Sequence, residues 1–269
     1  MIATHMSEKR YALFDLDYTL IPHDTLLLFC NYVLRRHFIR RLFLVLLLPV
    51  LPLVFLRIIR SKQLKQVFLS FLAGLDKDYV DILAKDFVKR SVLPRLYPEI
   101  VAEVKRHKKE NRITVLNTAA PFIYSKYIAE ELQFDHVYAT VIEMPQSFPL
   151  IAKIKGNNNK RYAKIEQMMD LLPSAVQIYL KANPPASTAR PDYPDDAILY
   201  DSWSYSDSAA DLPMLRLTEQ SRLVNPNNKS LITEAEAKGW TILKPMQPYN
   251  SLAGNAWHSL RQLLGLYPD

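Results

Sequence analysis

Glycine and cysteine are scarce in this chain, at five and one of 269 residues. A glycine-rich phosphate loop is therefore excluded, because it needs several glycines in one turn to bring backbone amides against phosphate. A single cysteine, Cys30, rules out an intramolecular disulfide framework; it fits a reducing compartment, with a buried thiol as its ordinary state. No zinc-ligand spacing and no basic helix-turn-helix pattern occurs, so nothing specific points to nucleic acid. The opening Met1 to Arg10 is too short and too polar for a secretory signal, Met6 is an equally good start, and the first eight residues are set outside the fold.

What is present is enough apolar material, 49% of the chain, to bury a full core in one large domain or a domain with an insert. Lysine and arginine number 34 against 27 aspartate and glutamate, a formal charge of +7. That excess favours anionic partners: nucleic acid, anionic lipid or phosphorylated metabolites.

The chain is organised around Tyr11 to Leu20, a short apolar run that stops at Asp15, Asp17 and Thr19. Such a run predicts a buried strand whose polar groups emerge where the chain leaves the sheet, the place where open α/β folds put their sites. Two carboxylates one residue apart repel each other, and a cation commonly neutralises such a pair; magnesium with a phosphate is the expected combination. A calcium loop is excluded, because Leu20 stands where its glycine must be. An isolated Asp-x-Asp would more often be a plain turn.

From His23 to about Arg60 the composition changes. Arg35, Arg36, Arg40 and Arg41 precede the uncharged run Leu42 to Leu56, and Arg57, Arg60, Lys62 and Lys65 follow it. As a helix this run reaches only about 22 Å, short of a hydrocarbon core of about 30 Å, and Pro49 and Pro52 would kink it. The expectation is a segment that dips into one leaflet or lies in the interface with its basic flanks on lipid phosphates. A buried helix of an ordinary helical domain is the alternative. Helical patterning continues to Lys109, so residues 23–111 read as a helical cap inserted after the first strand, over the carboxylates.

Arg112 opens a second apolar strand, ending in Asn117-Thr118-Ala119-Ala120-Pro121 before a helix; a hydroxyl there serves either as an anion donor or as a plain helix cap. Two short alternating segments, 137–143 and 150–154, predict a hairpin. Lys160 follows Gly156 at a predicted helix start, where a cation is disfavoured unless an anion is near. Residues 181–196, rich in proline, read as a surface loop. A strand from Ala197 to Tyr200 leads to Asp207 and Asp211, four apart and facing one side. A strand at Arg222–Val224, a helix ending at Gly239, and a strand at Trp240–Leu243 close the core; the tail 245–269 holds one amphipathic helix and is assigned no function.

These four stations in order, Asp15-Leu-Asp17-Tyr-Thr19, Thr118, Lys160 and Asp207-Ser-Ala-Ala-Asp211, resemble the haloacid dehalogenase superfamily, in the subfamily that contains phosphoserine phosphatase. The basic, leucine-rich insert resembles that of phosphatidylglycerophosphatase C, a membrane-bound lipid phosphatase. The resemblance implies a Rossmann-like parallel sheet flanked by helices, with a core of residues 9–22 and 112–244. It implies a phosphatase with Asp15 as nucleophile, Asp17 as general acid and base, and Thr118 and Lys160 on the phosphoryl oxygens. Thr19 and Asn117 would join the substrate-binding set, and Asp15, Asp17, Asp207 and Asp211 would serve Mg2+. Tyr18 and Ser206 depart from the small residue and glycine usual there, and the spacing from Gly156 to Lys160 is one residue long, which leaves Lys164 as the alternative lysine. The implied partner is a phosphorylated substrate, a lipid such as phosphatidylglycerophosphate, met at the cytoplasmic side of a membrane. A soluble phosphatase of small metabolites in the cytoplasm and a non-catalytic membrane scaffold are the competing readings.

Overall fold

A computed structural model describes residues 9–47, 49–56, 58, 60–183, 193–249 and 251–268. The expected exclusion of residues 1–8 and most of the proline-rich loop lie outside these.

Six parallel strands form one sheet in the order β3-β2-β1-β4-β5-β6. They are β1 (Tyr11–Phe14), β2 (Ile113–Pro121), β3 (His136–Thr140), β4 (Leu199–Ser206), β5 (Thr218–Val224) and β6 (Thr241–Leu243). β1 lies at the centre, and all four of its residues are buried, as a strand covered on both faces requires. Because the chain builds outward from β1 through β2 to β3 and then crosses to β4, the carboxyl ends of β1 and β4 flank the reversal of strand order where such sheets place their sites.

Between β1 and β2 run α1 (Thr25–Arg36), a 3-10 helix (Phe38–Leu47), α2 (Val50–Phe55), α3 (Ser61–Phe68), α4 (Lys77–Phe87) and α5 (Pro98–Lys109). Asp24 starts α1 by accepting from the amides of Leu26 and Leu27. The cap is less separate than the sequence suggests. One apolar cluster joins Phe14 and Leu116 of the sheet to Phe29, Phe71 and Phe87 of the cap. Tyr124, on α6 (Phe122–Glu131), sits 5.2 Å from the ring of Phe29 and 5.4 Å from that of Phe87. α5 lies on the sheet itself, with His107 between Phe14, Trp203 and Tyr205.

The expected uncharged run at 42–56 is broken into the 3-10 helix and the short α2, as Pro49 and Pro52 demand. Among the described residues no helix is long and apolar enough to cross a membrane. The predicted hairpin is shorter than expected: 136–140 pairs in parallel with β2, and the two segments meet in one antiparallel bridge, Ile142 to Ile154, flanked by the Glu143–Lys153 and Lys155–Val141 backbone hydrogen bonds. The predicted strand at 197–200 runs on instead to Ser206.

Three helices on the far side complete the layers: α7 (Ala163–Gln167) and α8 (Ser174–Ala182), with α9 (Leu212–Leu217) after β4. α10 (Lys229–Lys238) ends at Gly239, whose φ of 66° supplies the left-handed turn that stops it. The tail helix α11 (Leu252–Leu263) packs along α1, and Cys30 is buried and free.

His107 gives a stability test. Its Nε2 lies 2.8 Å from the Tyr205 hydroxyl, and burial, reinforced by Arg106 and Arg112, pushes its pKa down to about 3. The folded protein thus keeps this ring neutral where the unfolded chain protonates it, so its contribution to stability is lost as pH falls from about 6.5 towards 3. His107→Gln is expected to flatten the fall in urea midpoint between pH 7 and pH 4 relative to the parent protein; parallel slopes would remove this residue from the account.

Candidate active site

β1 ends by delivering Asp15, whose amide donates to the Tyr205 carbonyl at 3.0 Å, so the carboxylate is placed by the sheet rather than by a loop. The chain then turns: the amides of Thr19 and Leu20 donate to the Leu16 carbonyl, and Tyr18 adopts a left-handed φ of 57°. The turn sends Asp17 back towards α1, where Oδ1 accepts from the Thr25 amide at 2.9 Å and the Thr25 hydroxyl at 2.6 Å. Thr19, fully buried, accepts from the Asp207 amide at 3.1 Å. It ties the two acidic loops together and does not itself line the cavity.

Lys164 lies at the centre, with a side chain only 1% exposed. Its Nζ donates to Asp15 Oδ1 at 2.6 Å and to Asp211 Oδ2 at 2.7 Å. The Ser206 hydroxyl also donates to Asp211 Oδ2, at 2.8 Å, and accepts from the Ser208 amide at 3.1 Å. Ser206, the departure from glycine, is thus put to use as a strut for Asp211.

The lysine expected at this position, Lys160, is instead exposed on the cavity wall. The reason is local: α7 begins at Ala163, and Lys164 shares its buried face with Met168 four residues on. That spacing is a readable signal, a lysine on the apolar stripe of a helix. Asn117 also lies elsewhere than expected. Its amide donates to the Lys164 carbonyl at 2.9 Å and accepts from Asn159 at 2.9 Å, so it fastens α7 to β2 away from the cavity. The Thr118 hydroxyl, fully buried, accepts from the Ala120 amide at 3.0 Å.

Asp15, Asp17, Lys160, Lys164, Asp207 and Asp211 all line one cavity of about 880 Å³. Burial, strengthened by Asp211 and opposed by Lys164, pushes the Asp15 carboxyl up to about 6. Burial, with Asp24 and Asp15 adding to it, pushes Asp17 up to about 8. Asp207 is raised well above the carboxylate range by burial and then by Asp15 and Asp211. Burial opposes the charge on Lys164, yet its two carboxylate partners hold its pKa above the ordinary value.

Among the described residues no three histidine, cysteine, aspartate or glutamate side chains are grouped so as to hold a metal on their own. Magnesium asks for less, one or two carboxylates completed by a carbonyl, water and phosphate oxygens. Asp15 and Asp207, buried, mutually repelling and open to the same cavity, fit that demand, because a divalent charge there would favour the ionised form of each.

The haloacid dehalogenase-like hydrolase profile matches residues 12–216. The chain belongs to that family. A search of curated proteins returns no match. Among solved structures, this hydrolase is similar to a protein of unknown function from Bordetella pertussis Tohama I, at 23% identity and TM-score 0.65 over 88% of this chain and 99% of that one. A phosphoserine phosphohydrolase-like protein from Francisella tularensis aligns at 13% identity and TM-score 0.54, over 88% and 95% of the two chains. A phospho-aspartyl intermediate analogue of phosphoserine phosphatase aligns at 14% identity and TM-score 0.50, over 90% and 95%. These likenesses establish the haloacid dehalogenase-like fold.

The two lysines separate experimentally. Lys164→Met strands two buried carboxylates and is expected to lower the unfolding free energy by about 3 kcal/mol or more. Lys160→Met, on the wall, is expected to stay within about 0.5 kcal/mol of the parent. Chemical denaturation of both variants decides it; equal midpoints would show that Lys164 is not the buried bridge.

Proposed function

We propose that this hydrolase cleaves phosphomonoesters, with Asp15 as nucleophile. The observation that carries the reading is a pair of neighbouring carboxylates with different partners. Asp15 is bridged by the Lys164 ammonium at 2.6 Å, whereas Asp17 is held by the neutral donors of Thr25, and burial pushes Asp17 up further, to about 8 against about 6 for Asp15. Environments that drive two acids apart in this way are how one site supplies both a nucleophile and a proton donor.

In the proposed cycle an Asp15 oxygen attacks phosphorus and the bond to the leaving oxygen breaks, while Asp17 hands its proton to that oxygen. Asp17, now a carboxylate, takes a proton from water, which attacks the aspartyl-phosphate and releases phosphate with Asp15 restored. Thr25 aims Asp17 through two hydrogen bonds to a single oxygen, leaving the other free for this exchange. Lys164 is suited to the phosphoryl oxygens, with Lys160 drawing the dianion in from the wall, whereas Thr118 is fully buried and stands outside the cavity lining. Asp15, the Asp17 carbonyl and Asp207 would hold magnesium, which when bound offsets the charge of the phosphoryl group. Asp211, through Lys164 and Ser206, orients the set.

The substrate we propose is a lipid phosphomonoester such as phosphatidylglycerophosphate, met at an anionic membrane surface on its cytoplasmic side. Support comes from a stripe of exposed apolar side chains on the 3-10 helix, with Leu42 at 67% and Val45 at 55% exposure, beside exposed Arg41 and Arg60. Arg41 donates to the Gly265 carbonyl, and the exposed Leu264 and Leu266 flank that point, so the apolar surface continues onto the tail. Aliphatic side chains rimmed by guanidinium groups suit an interface of acyl chains below anionic headgroups.

Asp15→Asn is expected to abolish magnesium-dependent phosphate release while leaving the circular dichroism spectrum unchanged; turnover retained in that variant would refute the nucleophile. Leu42→Asp with Val45→Asp is expected to reduce flotation with anionic vesicles at least tenfold while sparing hydrolysis of a soluble substrate. Unchanged flotation, or none by the parent protein, would favour a soluble metabolite phosphatase with the same chemistry.

A further inference from the structure

The turn that follows the carboxylates leans on the tail. Between Asp17 and α1 the chain passes Tyr18, Pro22 and His23, and each of them meets a side chain from beyond β6. Tyr18 is hydrogen-bonded to Ser259 of α11. The Tyr249 hydroxyl donates to the Pro22 carbonyl at 3.1 Å, and the Gln262 amide lies 3.2 Å from His23 Nδ1. The His23 ring also packs edge-on against the Tyr267 ring, with centroids 5.5 Å apart.

The same segment holds α1. Asn31 and the backbone of Tyr267 exchange two hydrogen bonds, at 3.1 and 3.0 Å, and Arg35 donates to the Tyr267 carbonyl at 2.6 Å. α1 in turn supplies Thr25, whose amide and hydroxyl fix Asp17 Oδ1. Both ends of the stretch that aims Asp17 are therefore seated on the tail.

This seam is polar, and His23, Asn31 and Gln262 are all buried in it. Buried polar pairs are costly wherever a partner is missing, so they admit one seating of the helix where apolar contacts alone would admit several. Tyr18 adds a second constraint. Its φ of 57° is left-handed, a conformation that a bulky side chain keeps only where its surroundings hold it. Releasing the tail would let the backbone relax at Tyr18, the residue next to Asp17.

We infer that Ser259, Tyr249 and Gln262 are positioning residues: the tail clamps the turn at Tyr18, Pro22 and His23 and so aims the Asp17 carboxyl at the leaving oxygen. The inference rests on the phosphomonoesterase reading and adds to it the part of the chain that holds the acid in place. In the step served, the Asp17 O–H bond breaks as its proton passes to the leaving oxygen, while the bond from that oxygen to phosphorus breaks and leaves its electron pair on oxygen. Misplacing such a group by about 1 Å costs on the order of 10²-fold.

The test reads dependence on the leaving group. p-Nitrophenolate departs readily as an anion, whereas an alkoxide needs the proton. kcat/KM with magnesium is measured for p-nitrophenyl phosphate and for an alkyl ester. The alkyl ester is whichever of glycerol 1-phosphate, phosphoserine, phosphoethanolamine and phosphatidylglycerophosphate in vesicles the parent protein hydrolyses fastest. Tyr249→Phe combined with Ser259→Ala, which deletes two hydroxyls and no packing surface of the rings, is expected to lower kcat/KM about tenfold on the alkyl ester and about threefold or less on the aryl ester. Equal loss on both esters, as a smaller folded fraction would give, or no loss on either, would overturn the inference. So would a parent protein that hydrolyses the aryl ester and no alkyl ester, which would leave the phosphatase reading standing. Asp17→Asn is expected to show the same split in larger measure; absence of any split there would remove Asp17 as the acid, and the clamp with it. Failure of the parent protein on every ester would bring down the phosphatase reading itself.

Discussion

The buried bridge from Lys164 to Asp15 and Asp211 is the interaction on which the rest of the structure depends. An ammonium group taken out of water is costly, and only close carboxylates with good geometry repay it. The fold supplies three elements that converge on one point: the end of β1, the start of α7 and the loop after β4. Asn117 and Asn159 then hold α7 down against β2 and β3, with Asn159 donating to the Thr118 and Tyr138 carbonyls at 3.0 and 3.1 Å. Polar groups below the site therefore do the positioning, and those facing the cavity are left available for chemistry.

The same arrangement explains why acids so close together serve different ends. Asp15 has a cation 2.6 Å away; Asp17 accepts its hydrogen bonds from the neutral groups of Thr25, with the charges of Asp24 and Asp15 near it and Lys65 farther off. The proposed division into nucleophile and proton donor rests on that difference in surroundings, although only Leu16 separates the two acids along the chain.

Much of this was legible in the amino-acid order. The central strand, its two carboxylates, the second acidic pair and the glycine that ends α10 all follow from local chemistry, and each lies where its pattern indicates. The lysine was harder, because the start of α7 is set by how the loop after Gly156 folds onto Thr140, with the Asn159 amide donating to that hydroxyl at 3.1 Å. A shift of one helical turn exchanges a wall residue for a buried one. Asn117 misled for a related reason: its side chain is taken up by the Lys164 carbonyl and by Asn159, partners that lie more than forty positions further along the chain. That the tail lines the cavity was beyond sequence reasoning, since its place is set by contacts more than two hundred positions apart.

The insertion of Tyr124 between Phe29 and Phe87 carries a consequence for substrate traffic. A cap that swung away as a rigid flap would draw a tyrosine and two phenylalanines out of a shared interior, at about 2 kcal/mol for each ring exposed. Hinged opening is thereby made expensive.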